Sequence, residues 1–223
     1  MARLRKLRAV LAALALLLTV TGCSGRFDAS GYTAAILDLQ FQGDTKNART
    51  LVAGATQQSL SEMYQEFISN FTASYITDGM EISDADEQKF AALAASVLGS
   101  VRYEVGEAKK TGKKEYEVPV VIQPVDTFLR YKDLLTEDAL RISERVKSKK
   151  YKGTDEEVRS QVMAEIAANA YDLLERAYTD STYDGKQTVI LKIKADTSDI
   201  YSIDEDDMDN LIAKILRLDE IGG

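Results

Sequence analysis

The only cysteine of the chain, Cys23, is the residue whose type and position indicate the most definite chemistry. It follows Val20-Thr21-Gly22, and small residues directly before a cysteine are typical of a lipobox, whose cysteine thiol takes up a diacylglyceryl group. Each acyl methylene buried in a bilayer contributes about 0.8 kcal/mol, so two or three chains anchor a protein firmly. We therefore predict cleavage between Gly22 and Cys23, lipidation of Cys23, and membrane attachment through this covalent lipid.

The segment before Cys23 is typical of a secretory signal peptide. It carries four basic residues within its first eight positions, followed by an apolar run over residues 9–20. That run is shorter than the about 20 residues that a spanning helix requires. The alternatives are an uncleaved signal anchor and a cleaved signal peptide with a cysteine nearby by chance. The sequence predicts a signal peptide over residues 1–22, a lipidated cysteine and short linker over residues 23–30, and a single extracytoplasmic domain over residues 31–223. We expect this domain to be lipid-anchored on the outer face of the plasma membrane.

Composition excludes several classes of function. The chain has no histidine, which excludes Ser-His-Asp and Cys-His nucleophilic systems and histidine-ligated metal sites. Lipid on Cys23 would leave no thiol for a disulfide. Residues 1–22 hold four basic and no acidic residues, so the rest of the chain has 24 basic and 36 acidic residues, a net charge of −12. This charge argues against nucleic acid as a partner, and we expect the acyl chains rather than surface charge to hold the protein on the membrane.

Two groups of carboxylates could do chemistry. The first group alternates along a predicted hairpin and consists of Glu104, Glu107, Glu115 and Glu117. These residues could supply the acid pair of a glycoside hydrolase. Their place on the polar side of the alternation instead favours a solvated face of the sheet. The second, residues 204–209 with Asp196 and Asp199, offers oxygen ligands for Ca²⁺ but lacks the spacing and the glycine of an EF-hand loop. Acidic residues are also favoured in the first turn of a helix. We therefore predict no catalytic residue, no metal and no cofactor.

Four tyrosines are the candidate ligand-binding residues: Tyr64, Tyr75, Tyr103 and Tyr116. Tyrosine combines an apolar ring with a polar hydroxyl and suits half-buried pockets. These rings either line a groove beside the sheet or pack in a closed core, and the second is the commoner role of aromatic residues in an apolar stripe. A basic cluster over residues 145–152 could contact phosphate groups of lipids or cell-wall polymer, or could end a helix whose dipole favours it.

The spacing of apolar residues predicts the elements that position these side chains. Helical spacing recurs in five segments: residues 32–42, 60–75, 83–98, 127–180 as a helical pair, and 204–216. Alternation with period two predicts a hairpin over residues 101–122 and a third strand over residues 188–194. Pro119 lacks an amide donor, so we expect its strand to lie at an edge or to face outward there. This order predicts an α+β fold, with helices packed on one face of a small antiparallel sheet of the NTF2-like or cystatin-like kind.

Short segments of the chain are similar to those of a known group of proteins. They comprise residues 32–44, Ile82-Ser83-Asp84, the stretch Tyr103-Glu104-Val105-Gly106-Glu107-Ala108, and residues 120–126. In these segments the chain resembles uncharacterised surface lipoproteins of clostridia-like Gram-positive bacteria, which carry an extracytoplasmic domain of unknown function. The resemblance implies a lipoprotein on the surface of a Gram-positive cell and brings no reaction and no ligand.

These observations predict a non-enzymatic binding or accessory module of the cell envelope, with an unidentified envelope protein or ligand as its partner. A solute-binding lipoprotein is one alternative, although such receptors have two lobes and the 201 residues after the signal peptide are few for that. A carboxylate-based envelope hydrolase is a second alternative, and an extracytoplasmic folding factor is a third.

The first prediction concerns the anchor. The Cys23→Ala variant should lose lipidation, and its precursor should stay uncleaved or be released, because the chain has no other cysteine to take up the lipid. Metabolic labelling with a palmitate analogue measures this. Label that persists on the alanine variant would contradict the lipobox.

Overall fold

A computed structural model describes residues 27–51 and 54–221, so Cys23 and the predicted signal peptide lie outside the described residues. The helices of the described ranges are, in chain order, α1 (Ala29–Leu37), α2 (Thr45–Leu51), α3 (Gln57–Tyr75), α4 (Asp84–Gly99), α5 (Thr127–Lys147), α6 (Asp155–Thr179) and α7 (Glu205–Ile215). The strands are β1 (Arg102–Val105), β2 (Lys109–Lys110), β3 (Glu115–Gln123), β4 (Gln187–Ala195) and β5 (Tyr201–Ile203). A π-helical turn (Asp38–Gln42) continues α1, and a short 3-10 turn (Leu218–Glu220) follows α7.

The five strands form one antiparallel sheet with β3 near its centre. On one side β3 pairs with β4, which in turn pairs with β5. On its other side β3 pairs with both β1 and β2, which together form an interrupted edge strand. Val118 lies opposite Leu191 in this register, and Lys110 lies opposite Tyr116.

The two faces of the sheet differ in burial, as the alternating pattern predicts. The buried residues of β3 and β4 all lie on one face: Tyr116, Val118, Val120, Ile122, Val189, Leu191 and Ile193. This inner face packs against the helices in one continuous hydrophobic core. On the outer face, residues of β4 such as Ile190 and Lys192 are exposed to solvent. The predicted α+β fold with helices on one face of the sheet is therefore confirmed, whereas its more specific NTF2-like or cystatin-like form stays a prediction.

Helix α1 lies at the centre of this core, and most of its side chains are buried. Ala35, Ile36 and Leu37 are at most 1% exposed, and the Tyr32 hydroxyl donates a hydrogen bond of 3.2 Å to the carbonyl of Tyr201 in β5. A helix that is apolar around most of its circumference is stable only when it is surrounded by other elements. The π-helical turn, α2 and the strands β1 and β3 lie against α1, and the helices α3, α4 and α7 contribute side chains to the same core.

The predicted helix starts carry the expected side-chain caps. The hydroxyl of Ser83 accepts a hydrogen bond from the amide of Asp86 at the start of α4, and Thr154 and Glu157 form a reciprocal capping box at the start of α6. Asp204 caps α7 in the same way. Such caps satisfy amide groups that have no partner inside the helix.

The structure differs from the sequence predictions in three elements. The first helix begins at Ala29 rather than at residue 32, and the predicted linker over residues 23–30 includes residues that belong to the fold. Within it, the ring of Phe27 stacks on Tyr201 at a centroid distance of 3.7 Å. The helix α2 and the three-residue strand β5 were also missed, because elements this short carry too few periods of an apolar pattern to be recognised.

Pro119 lies in the strand β3, which is flanked on both sides, so the predicted placement at a sheet edge is wrong. The alternative placement, facing outward, agrees with the half-buried position of Pro119 on the outer face between the buried Val118 and Val120. The proline carbonyl accepts a hydrogen bond of 2.7 Å from the amide of Gly106, in the gap between β1 and β2. In an antiparallel pair the second bond would come from the proline amide, which proline lacks. The hydroxyl of Ser30 replaces it: it donates to the Gly106 carbonyl at 3.0 Å and accepts from the Ala108 amide at 2.9 Å.

The second prediction tests this replacement. The Ser30→Ala variant should lose about 1–3 kcal/mol of unfolding free energy, because a partly buried carbonyl and a partly buried amide are left without a partner. The control is Ser96→Ala, whose exposed hydroxyl bonds only to its own helix and whose loss should change stability by less than about 0.5 kcal/mol. Urea unfolding followed by circular dichroism measures both. Equal effects of the two substitutions would contradict the role assigned to Ser30.

Candidate functional site

A cleft of about 270 Å³ lies between the helices α5 and α6 and the loop that follows α3. Its apolar lining comes from Met80, Leu135, Met163 and Ile166. Two carboxylates, Asp78 on the loop and Asp138 on α5, also line it. Sequence analysis missed this cleft, since its walls come from three segments that are distant along the chain.

Asp138 is the acidic group that the structure buries most clearly in this cleft. The residue is 8% exposed, and its carboxylate accepts hydrogen bonds of 3.0 Å and 3.2 Å from the side-chain amide of Asn169 on α6. It also forms an ion pair with Arg141, one turn further along α5. A buried carboxylate is tolerated only when it is paired and hydrogen-bonded in this way. The sequence did hold a signal, because Asp138 lies in the apolar phase of α5 between Leu135 and Ile142.

The pairing of α5 with α6 positions the cleft, and a second carboxylate fixes the ends of the two helices. The Asp126 carboxylate precedes α5 and accepts hydrogen bonds from the amide of Thr182 at 2.7 Å and from its hydroxyl at 2.8 Å. It also pairs with Arg130 at 2.8 Å. Burial alone would raise the pKa of Asp126, but these hydrogen bonds outweigh it and hold the pKa below its usual value. The start of α5 is therefore tied to the segment that follows α6.

The size and the lining of the cleft limit what it can bind. Pockets for small organic ligands usually have volumes of about 300–1,000 Å³, so this cleft is at the small end of the range. Its volume suits one protruding side chain better than a whole cofactor. The two methionines provide an adaptable apolar wall, and the carboxylates favour a positively charged or hydrogen-bond-donating end group.

None of the four candidate tyrosines lines the cleft, and two of them, Tyr64 and Tyr103, lie against the π-helical turn and the Gly43 that follows it. Tyr116 is buried beside Phe27, with ring centroids 5.5 Å apart. Tyr75 stacks on Phe71 at 4.9 Å, and the ring of Tyr64 covers Gly43. Burial raises the pKa of the Tyr64 hydroxyl. Burial also raises the pKa of the Tyr75 hydroxyl, and the negative charge of a nearby aspartate raises it further. A ligand-binding role for these rings stays a prediction.

Tyr103 is the candidate tyrosine with the most polar surroundings. Its hydroxyl donates a hydrogen bond of 2.6 Å to the carboxylate of Asp38 and accepts one of 3.2 Å from the side chain of Gln42. Burial, and next the hydrogen bond to Asp38, raise the pKa of the Tyr103 hydroxyl above its usual value. These bonds connect β1 to the π-helical turn after α1, and they therefore have a structural role in the fold.

The other charged candidates lie at solvent-facing positions. Among the four glutamates of the hairpin, three are exposed and Glu117 is half-buried. In the acidic run, Asp207 accepts a hydrogen bond of 2.9 Å from the amide of Lys192, and Asp196 accepts bonds from two amides of its own turn. No group of three or more possible metal ligands is clustered in residues 27–51 and 54–221.

The basic cluster over residues 145–152 lies at the turn between α5 and α6. Arg145 pairs with Glu165 of α6 and lies over the ring of Tyr151, 5.0 Å from its centroid. The Tyr151 hydroxyl donates to the same Glu165 at 2.7 Å. These contacts stabilise the turn between α5 and α6. Lys147 and the neighbouring lysines of the cluster are exposed.

The similarity of this chain to known proteins is weak. No protein-family model matches the chain, and no curated protein matches it. The crystal structure of YcdA from Bacillus subtilis, a candidate lipoprotein, is similar with a TM-score of 0.49 and 15% sequence identity, over 85% of this chain. This chain spans 56% of the length of that structure. In the part of the chain that the structure describes, no helix is long and apolar enough to cross a membrane.

The third prediction concerns the buried carboxylate. The Asp138→Ala variant should lose about 1–3 kcal/mol of unfolding free energy, because the amide of Asn169 is left without its acceptor. The control is Asp78→Ala on the same cleft, where the side chain is exposed and the change should stay below about 0.5 kcal/mol. Chemical unfolding of the three proteins at neutral pH measures the difference. An Asp138→Ala variant as stable as the Asp78→Ala variant would rule out a structural role for this carboxylate.

Proposed function

We propose that this protein is a lipoprotein, held by lipid on Cys23 at the outer face of the plasma membrane, and that its domain binds an envelope partner without catalysing a reaction. The observation that carries the anchor is a sequence observation: the only cysteine of the chain directly follows small residues at the end of an apolar run. The resemblance to surface lipoproteins of Gram-positive bacteria supports the same placement.

The cleft beside Asp138 supports the binding role. A protein partner could insert one side chain between Met80 and Met163, where apolar contacts are available on both sides. Lysine and arginine suit this site, because each has an apolar stem and a positively charged end. The end group would approach the carboxylates of Asp78 and Asp138. A segment of an envelope protein that presents a basic side chain is therefore the class of partner that fits.

The absence of catalysis is supported by composition. Without histidine the chain depends on carboxylate, lysine or tyrosine chemistry. A carboxylate pair for glycoside hydrolysis requires two facing acids about 5–9 Å apart, one of them with a raised pKa. Three of the four hairpin glutamates are exposed and Glu117 is half-buried, so they do not form a buried pair of facing acids.

The alternative of a solute-binding lipoprotein has less support. Receptors of that kind enclose a small molecule between two lobes. In the described residues one hydrophobic core extends from α1 to α7, and the cleft lies on the surface of a helical pair. These features favour contact with a protein partner over enclosure of a solute.

The fourth prediction tests the binding role in intact cells. A photoreactive benzoylphenylalanine placed at Ala139, an exposed position of the cleft, should crosslink to a discrete partner under ultraviolet light. The control position is Lys186, which is also exposed and precedes β4. Adducts are identified after membrane fractionation and mass spectrometry.

Three outcomes of this experiment are informative. An adduct specific to position 139 that is lost in the Cys23→Ala background supports an anchored binding module. The same adducts at positions 139 and 186, or none at either position, would contradict binding at the cleft. A specific adduct with a small molecule in place of a protein would favour the solute-binding alternative.

A further inference from the structure

The turn between β2 and β3 carries four lysines within six residues, and we call residues 109–114 the lysine turn: Lys109, Lys110, Lys113 and Lys114. Sequence analysis singled out only the cluster over residues 145–152. In the structure the lysine turn lies beside the first described residue of the chain. Lys110 pairs with Tyr116, and the ring of Tyr116 lies 5.5 Å from that of Phe27.

The distance along the chain from Phe27 to the predicted lipid is short. Phe27 is four positions after Cys23, and an extended chain spans at most about 3.3–3.6 Å per residue. Phe27 therefore lies within about 14 Å of the lipid-bearing residue. Because Phe27 stacks on Tyr201 and contacts Tyr116, it belongs to the folded domain. The end of the sheet that carries the lysine turn is thus held next to the bilayer.

Only part of the lysine turn forms ion pairs within the described structure. Lys114 forms an ion pair with Asp199, whereas Lys110 and Lys113 are exposed and have no ion pair in the described structure. Lys109 is exposed opposite Glu117.

Carboxylates also lie at this end of the sheet. Glu115 and Glu117 lie opposite Lys194 and Lys192 of β4 in the strand register, and the Glu115 carboxylate lies against Gly112. The carboxylate of Asp28 accepts a hydrogen bond from the amide of Gly31 at 2.9 Å. Lys110 and Lys113, which are exposed and form no ion pair in the described structure, therefore supply the positive charge at the surface that the anchor turns toward the membrane.

We propose that the lysine turn binds the anionic phospholipid headgroups of the membrane that carries the anchor, and so orients the domain on the bilayer. This rests on the proposed lipid anchor at Cys23. Lysines attract anionic lipids only within about one Debye length, roughly 8 Å at physiological ionic strength, so their position matters more than the net charge of the protein. The expectation that surface charge contributes nothing to membrane binding followed from the net charge alone.

The fifth prediction uses the fact that the chain has one cysteine. In the lipidated full-length protein, Thr111→Cys supplies the only free thiol for an environment-sensitive fluorophore. The reference site is Lys186→Cys, beyond the opposite end of β4 and about 27 Å away at 3.3 Å per residue. Both proteins are reconstituted into vesicles of two parts phosphatidylcholine to one part phosphatidylglycerol that contain a lipid with a nitroxide headgroup. We expect at least two-fold stronger quenching at position 111 than at position 186.

A matched pair of variants separates local charge from net charge. Replacing Lys109, Lys110 and Lys113 together with glutamine should reduce the difference between the two probes at least two-fold, and only the effect of the short tether to Cys23 should remain. Replacing Lys147, Lys149 and Lys150 with glutamine removes the same charge at the turn between α5 and α6, and should preserve the difference. Vesicles of phosphatidylcholine alone should reduce it.

Flotation of the same vesicles distinguishes the possible failures. Protein that does not float with the vesicles would overturn the anchor and, with it, the orientation. Protein that floats but shows equal quenching at both positions would overturn only the role of the lysine turn. The same would follow if the two glutamine variants behaved alike.

Discussion

The missing amide hydrogen of Pro119 is the constraint on which the architecture of this domain depends. Proline in a strand that pairs on both sides leaves one ladder bond unmade, and the partner strand opens at Gly106 into β1 and β2. The hydroxyl of Ser30 fills the gap and thereby ties the start of α1 to the sheet. Because α1 is buried among the other helices, this single contact relates the N-terminal segment, the sheet and the core to one another. It also brings the chain into the fold close to the residue predicted to carry lipid.

Net charge describes this protein poorly, because several of its acidic residues have local structural roles. Asp204 caps α7, Asp126 joins the two ends of the helical pair, and Asp138 accepts bonds from Asn169 across that pair. Carboxylates that are engaged in this way contribute less to the field outside the molecule than their number implies. Lysines concentrated in one exposed turn therefore keep a local positive surface on an acidic protein.

The sequence predicted the long, periodic elements well and the short or exceptional ones poorly. The stripe from Leu60 to Tyr75 corresponds to α3, and the caps at Ser83, Thr154 and Asp204 mark helix starts in the structure. The strand β5 has three residues, and its partner is chosen by packing of Tyr201 on Phe27, which no local pattern encodes. The candidate tyrosines show the same difference between local pattern and tertiary packing. Tyrosine type and phase identified rings near the core, but which rings share a surface depends on how the helices pack.

The sequence by itself determined that the chain's only thiol directly follows small residues at the end of an apolar run, that histidine chemistry is excluded, and that alternation buries one face of the sheet. Each of these depends only on residue type or local period. Tertiary structure alone decided that Asp138, Met80 and Met163 meet in one cleft, that Ser30 completes the bonds of Gly106, and that the lysine turn lies beside Phe27. These contacts join segments that are far apart in the chain. Their partners are selected by the total burial and hydrogen bonding of the folded state, which no short stretch of sequence specifies.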